Sequence, residues 1–275
     1  MSYQEVLARR VIAISISESP DMPALGLSEE HLRDAMAEIA RHLLALGARL
    51  IYGGDLRRYG FSELLLELVA RHRRDVDDSE SQTGVTSYLA WPVHVMQSAT
   101  IIRNATADLE GSAELVCLRL DGSRLPMAER QRLESHQPTE SEWLEGLTAL
   151  RQTIVTESDA KIVLGGRVDK YKGVMPGIAE EALLTLQSGQ PLYLMGGFGG
   201  CARDLAETLG LVAPWGKSPR AWTSRPVFQS YSVKDLNNGL TAAENTTLAQ
   251  TPHVDQAVSL ILRGLMRTAD RDTTL

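Results

Sequence analysis

The sequence predicts a Rossmann-like α/β fold: a doubly wound, mainly parallel sheet with helices on both faces. One domain is expected over residues 1–275, with its core at about 11–266. Three observations predict this. Short β-branched runs alternate with amphipathic helical segments over nearly the whole length, the pattern of crossover-connected parallel strands. Three of those runs end directly in a glycine pair, Gly53-Gly54, Gly165-Gly166 and Gly196-Gly197. Carboxyl ends of strands are where an open parallel sheet places its ligand crevice. Finally, no linker rich in Pro, Gly or Ser divides the chain.

The elements follow in order. Residues 11–17 (VIAISIS) read as a buried strand. Ser28 then precedes Glu29 and Glu30, a helix start with acid in its first turn, and Leu32, Ala35, Met36, Ile39, Leu43 and Leu44 recur at helical spacing until Gly47. Residues 49–52 form a strand that runs into Gly53-Gly54-Asp55. Phe61, Leu64, Leu65, Leu68 and Val69 give a second amphipathic helix, and the charged stretch 71–84 reads as a surface loop. Two further strands are expected at 88–91 and 114–118, with a long polar loop over 121–138. Trp143, Leu147, Leu150 and Ile154 restore helical spacing over 141–156. Residues 161–164 are a strand ending in Gly165-Gly166, and 176–186 a helix with Pro176 at its start, where a missing N–H costs nothing. A strand at 192–195 ends in Gly196-Gly197, and a helix at 200–209 is closed by Gly210. A last amphipathic helix spans 254–266, and 269–275 reads as a frayed tail.

Composition narrows the class. Hydrophobic residues at 43% and charged residues at 23% are average for a globular chain long enough to bury a core without staples. The two cysteines, Cys117 and Cys201, form no CxxC or Cys/His ligand spacing, and Cys117 sits in an apolar run that suits a buried free thiol. With no signal peptide, this points to a reducing, cytoplasmic setting. No apolar run reaches the ~18 residues of a membrane span. A net charge of −7 argues against general nucleic-acid binding but leaves room for a locally positive pocket. The six histidines are scattered, so no metal is expected, and no cofactor.

The glycine pairs carry the functional reading. Glycine at a strand end lets backbone approach a ligand, and the next helix offers free N–H groups to phosphate. There is neither a GxGxxG with its distant acid nor a GxxxxGK[ST], which disfavours an ordinary dinucleotide dehydrogenase and a P-loop ATPase. Arg151 precedes the second glycine-tipped strand and Arg167 directly follows its Gly165-Gly166; arginine there can grip phosphate bidentately. Glu180 and Glu181 lie one turn into the helix opened by Pro176-Gly177. Glu180 reads as a complement to the helix dipole. A glutamate at this place can also hold ribose hydroxyls, or stabilise positive charge as an N-glycosidic bond breaks. Ser15 and Ser17 end the first strand on the ligand side, and Phe198 either stacks on a base or packs. The phrase Asn238-Gly239-Leu240…Glu244-Asn245 has no role that the sequence explains.

These residues resemble the SLOG superfamily, which spans LOG-type phosphoribohydrolases, DprA/Smf DNA-processing proteins, and nucleotide-sensing domains of TRPM channels and prokaryotic immune effectors. Tyr52-Gly53-Gly54-Asp55 stands where the LOG-type pattern has YGGG, and Gly177-Ile178-Ala179-Glu180-Glu181 where it has GTxxE. By that match, Arg151 and Glu181 fall on the family's catalytic arginine and glutamate. Leu164 replaces a proline, Ile178 replaces a threonine, and 167–176 is an inserted loop, so the phosphate cradle is rebuilt. The loop and the phrase Gly196-Gly197-Phe198-Gly199-Gly200 look closer to the sensing branch, which includes the Thoeris-type antiphage effector.

The resemblance implies a pocket for an ADP-ribose-like or cyclic ADP-ribose-like nucleotide. Its implied walls are Ser15, Ser17, Gly53, Gly54, Asp55, Arg151, Gly165, Gly166, Arg167, Gly177, Glu181, Gly196, Gly197, Phe198, Gly199 and Gly200. It implies a sensor that self-associates or meets a partner effector. The alternative is a nucleotide N-glycosidase or phosphoribohydrolase using Arg151 and Glu181.

Overall fold

The computed structural model describes residues 6–8, 10–56, 60, 63–65, 67–68, 84–109, 113–215 and 220–273. Among the described residues seven strands build one sheet: β1 (Val11–Ser17), β2 (Arg49–Gly53), β3 (Val85–Leu89), β4 (Ala113–Leu118), β5 (Arg124–Leu125), β6 (Ala160–Gly165) and β7 (Leu192–Met195). Their order is β5-β4-β3-β2-β1-β6-β7; the β4–β5 pair is antiparallel and the other pairs of these strands are parallel. The helices are α1 (Glu29–Ala45), α2 (Trp91–His94), α3 (Ala99–Asp108), α4 (Met127–Arg130), α5 (Glu140–Thr156), α6 (Gly177–Gln187), α7 (Gly200–Thr208), α8 (Ala242–Gln250) and α9 (Val254–Thr273). This is the doubly wound, mainly parallel α/β fold that the alternation predicts.

Strand alternation sorts the two layers. Ile12, Ile14 and Ile16 of β1 join Leu32, Met36 and Ile39 of α1 and Ile261 and Leu265 of α9 in one core. Ala13 turns to the opposite face, with Leu150 and Ile154 of α5. On that same face Val163 of β6 meets Ile178 and Ala182 of α6 and Ala202 and Leu205 of α7. Because Ala13 is in register with Lys161, and Ser15 with Val163, Ser15 and Lys161 also point toward α5 and α6.

The segment 121–138 is not a uniform loop. A tight turn at Asp121-Gly122-Ser123 folds Leu125 back against Cys117, where it is buried, and α4 follows. The expected strand at 88–91 is shifted to Val85–Leu89, because Trp91-Pro92 opens α2 with proline in the first turn, where helices accept it. Helix α3 buries only Ile102, so no apolar period marks it in the sequence. Helix α9 continues to Thr273, since no glycine or proline interrupts 267–273. Residues 63–65 and 67–68 are helical, whereas Phe61, Val69, the charged stretch at 71–83 and positions 274–275 lie outside the described residues. Cys117 and Cys201 are free and buried, and burial pushes the Cys117 thiol up to about 11. Among the described residues no helix is long and apolar enough to cross a membrane.

The unexplained asparagine phrase is a clasp. The Asn238 amide donates to Leu192 O and to Asn245 Oδ1, both at 2.8 Å, and Tyr193 Oη donates to Asn238 O at 3.0 Å. It ties the start of α8 to β7 through buried, satisfied amides.

A second polar knot yields a stability prediction. Arg130 is fully buried, and among the described residues it pairs with no carboxylate. Its Nε–H donates to His94 Nδ1 at 2.9 Å, and Nη2 reaches the carbonyls of His94 and Gln97. His94 therefore carries its proton on Nε2, which donates to Leu118 O at 2.8 Å. Burial, and then the Arg130 charge, lower the His94 pKa to about 4. An unfolded histidine takes its proton near 6.5, so the unfolded state binds more protons between those values. Stability is expected to fall by about 3 kcal/mol as pH drops from 6.5 to 4. Urea unfolding at both pH values checks this; His94→Asn should abolish that part of the pH dependence, and an unchanged profile would refute the assignment.

Candidate functional site

The carboxyl ends of β1 and β6 lie side by side, with β2 on the other side of β1. The winding direction reverses between them, which makes this the switch-point crevice of the sheet. Ser17 is in register with Gly165. Gly165 and Gly166 have φ of +67° and +97°, and a Cβ on Gly165 would collide with the Ser17 carbonyl. Gly166 N–H donates to Ser17 O at 3.0 Å, and Cys201 N–H donates to Gly166 O at 2.8 Å. These glycines join β1, β6 and α7 backbone to backbone.

The other predicted glycines are also closely packed. Gly54 N–H continues the ladder to Tyr88 O, and a Cβ on Gly53 would press on Leu150 and Ile154. A Cβ on Gly196 would lie 2.5 Å from Ala249 O, and one on Gly197 would collide with Thr251 O. Phe198 is fully buried in the core with Met195 and Leu248. Asp55 follows Gly54 and is half-buried.

The charged residues assemble beneath the start of α6. Lys161 is wholly buried at the start of β6, and its ammonium donates to Glu181 Oε2 at 2.6 Å and to Ser15 Oγ at 3.3 Å. Ser15 Oγ in turn donates to the same Oε2. Glu181 Oε1 takes no hydrogen bond among the described residues and is not sealed from solvent. Burial raises the Glu181 pKa, but attraction to Lys161 and Arg151 and the hydrogen bonds from Lys161 and Ser15 outweigh it and hold the group below its ordinary value. Lys161 is the residue that sequence reasoning missed; its signal was a lysine inside an otherwise apolar strand, AKIVLG.

Arg151 pairs directly with Glu180 rather than Glu181. Thr148 Oγ1 donates to the other Glu180 oxygen at 2.5 Å, and both members of the ion pair are buried. Glu180 is thus a partner of Arg151 and more than a dipole complement. Glycine at 177 makes room for this arginine, since a Cβ there would lie 2.8 Å from Nη2. The inserted loop closes over the pair, with Gly173 against Nη1 and Lys172 stacked 3.6 Å above the Trp143 ring of α5. Arg167 is exposed, pairs with Glu18, and is not joined to Arg151 or Glu181.

Comparison with known proteins adds three findings. The family model described as SLOG cluster2 matches residues 6–227. No curated protein matches the chain. Among solved structures, the X-ray structure of TM1055, a structural-genomics target, is similar at 16% identity and a TM-score of 0.38, covering 72% of this chain and 81% of that one.

Proposed function

Because this chain belongs to the SLOG cluster2 family, we propose that it binds a nucleotide of the ADP-ribose or cyclic ADP-ribose type in the crevice beside β1 and β6, and holds it without cleaving it. The observation that carries this is the one-sided Glu181 carboxylate. Lys161 and Ser15 fix one oxygen, and the other remains open as an acceptor. An ionised, pre-positioned carboxylate suits ribose hydroxyls, which donate to it as charge-assisted hydrogen bonds. The same ammonium weakens it as a general base and keeps it from serving as a general acid, because those roles need a pKa raised toward the working pH. Arg151 supplies positive charge close by. In a sensor, occupancy of this site would then be passed to a second copy or a partner effector.

Calorimetry with ADP-ribose tests this. The wild type is expected to bind, and Glu181→Gln to bind about tenfold or more weaker, since a hydrogen bond to a charged group is worth roughly 1.5–3 kcal/mol. Incubation with nucleoside monophosphates, NAD and ADP-ribose should release no free base. Base released by the wild type but not by Glu181→Gln would overturn the sensing reading in favour of an N-glycoside hydrolase.

A further inference from the structure

Asp21 lies four residues beyond the end of β1, where the segment to α1 crosses the switch-point crevice, and its side chain reaches the start of α7. Gly200 N–H donates to Oδ2 at 2.7 Å. Arg220 spans both carboxylate oxygens, Nη1 to Oδ1 and Nη2 to Oδ2, each at 2.8 Å. Gly199, at φ +74°, leaves the space; a Cβ there would lie 2.6 Å from the Asp21 Cβ and 2.7 Å from Oδ2.

The guanidinium does not depend on Asp21 for its position. Its Nε and Nη2 donate to Asp204 Oδ1 at 3.0 and 2.9 Å, and Nη2 also reaches Gly200 O at 3.1 Å. Asp204 is itself buried and fixed by Trp222 Nε1 at 3.1 Å. The Asp21 side chain keeps 20% of its exposure and Arg220 35%, against 2% for Asp204. Of the two carboxylates on Arg220, the replaceable one is therefore the more exposed, Asp21. In the short helical turn Met22–Leu25 only Met22 is buried and no side chain caps it, while Glu18 ties the start of the segment to the exposed Arg167.

A guanidinium fork with a helix N–H is a donor set that takes two phosphate oxygens as readily as a carboxylate. Here the chain's own carboxylate already sits in it, at the point where a doubly wound sheet receives its ligand. We propose that Asp21 is an autoinhibitory latch: it stands in for a ligand's phosphate, and a phosphate-bearing ligand displaces it and frees residues 18–27. This rests on the nucleotide-binding reading above and adds to it the residue that a ligand must expel and the arginine that it gains.

The test uses the full chain and two probes, ADP-ribose and inorganic pyrophosphate, by calorimetry. Asp21→Asn is expected to bind both about tenfold tighter than the wild type, because a charged competitor for Arg220 is gone. Arg220→Gln should weaken both, with or without Asp21→Asn. Saturating the wild type with ADP-ribose should speed amide exchange over 18–27, a readout that decides the matter if Asp21→Asn does not fold. Equal or weaker pyrophosphate binding by Asp21→Asn, or slower exchange in that segment, overturns the latch. Tighter pyrophosphate binding without any ADP-ribose binding keeps the latch and overturns the nucleotide reading. ADP-ribose binding that ignores Asp21→Asn does the reverse.

Discussion

Lys161→Met is expected to destabilise the protein by about 3–5 kcal/mol, the cost of leaving one member of a buried ion pair without its partner. The ammonium is wholly enclosed, and the side chain it would abandon, Glu181, is only 16% exposed. Methionine fills the volume of the lysine stem but offers no donor, so Oε2 keeps only Ser15. The double variant Lys161→Met/Glu181→Leu should recover most of the loss, because replacing a whole buried pair by apolar groups is often neutral. The pH dependence has a definite sign. In the wild type the folded pKa of Glu181 lies below its ordinary value, so the stabilisation is fully present above the unfolded pKa, about 4.3, and is lost as pH falls through the folded one. Without Lys161 burial becomes a larger part of the balance, the carboxyl takes up its proton at higher pH, and Lys161→Met should lose less stability than the wild type on acidification. Urea denaturation of the wild type and both variants at pH 7 and pH 4 measures all of this. A Lys161→Met loss below about 1 kcal/mol, the size expected of an exposed pair, would show that the pair is not buried.

Gly200→Ala is expected to cost a comparable amount, about 2–5 kcal/mol. Left-handed backbone costs a non-glycine residue roughly 1–2 kcal/mol, and overpacking adds about 1–3 kcal/mol. Gly200 has φ +66°, and a Cβ would collide with Gly166 O while lying 2.7 Å from Gly165 C and 2.8 Å from Gly165 O. All three neighbours are backbone, so no rotamer change can relieve the contact. The substitution forces the end of β6 away from the start of α7 and stretches the bond from Cys201 N–H to Gly166 O. Gly210→Ala is the control, because Gly210 has a similar φ of +73° but open space around its Cβ position. Thermal unfolding should show a small loss for the control and a large one for Gly200→Ala; equal losses would mean that strain alone accounts for both.

These two positions show how legible the protein was. Gly200 was marked by its place after a strand, where the sequence pointed to ligand approach, whereas the structure packs it against backbone. Its contact with Gly165 and Gly166 joins loops that are far apart in the chain, and no local pattern encodes that choice. Lys161 was visible as a residue type but stood inside a strand run, where periodicity reports burial and not partners. The misread stretch at 121–138 has the same cause, since β5 is a strand only because β4 offers it an edge.

The sequence by itself determined the order of strands and helices, the parallel alternation, and the glycine-tipped strand ends, because each depends on neighbouring residues and short periods. It also picked out Arg151 and Glu181 as residue types in a suggestive pattern. Only the tertiary structure decided which charge meets which. Adjacent residues on a helix point about 100° apart, so Glu180 faces Arg151 from α5 while Glu181 faces Lys161 from β6. Asp21 and Arg220 meet across 199 residues of chain. Such pairings are set by register and layer packing, which bring together groups that no window along the chain contains.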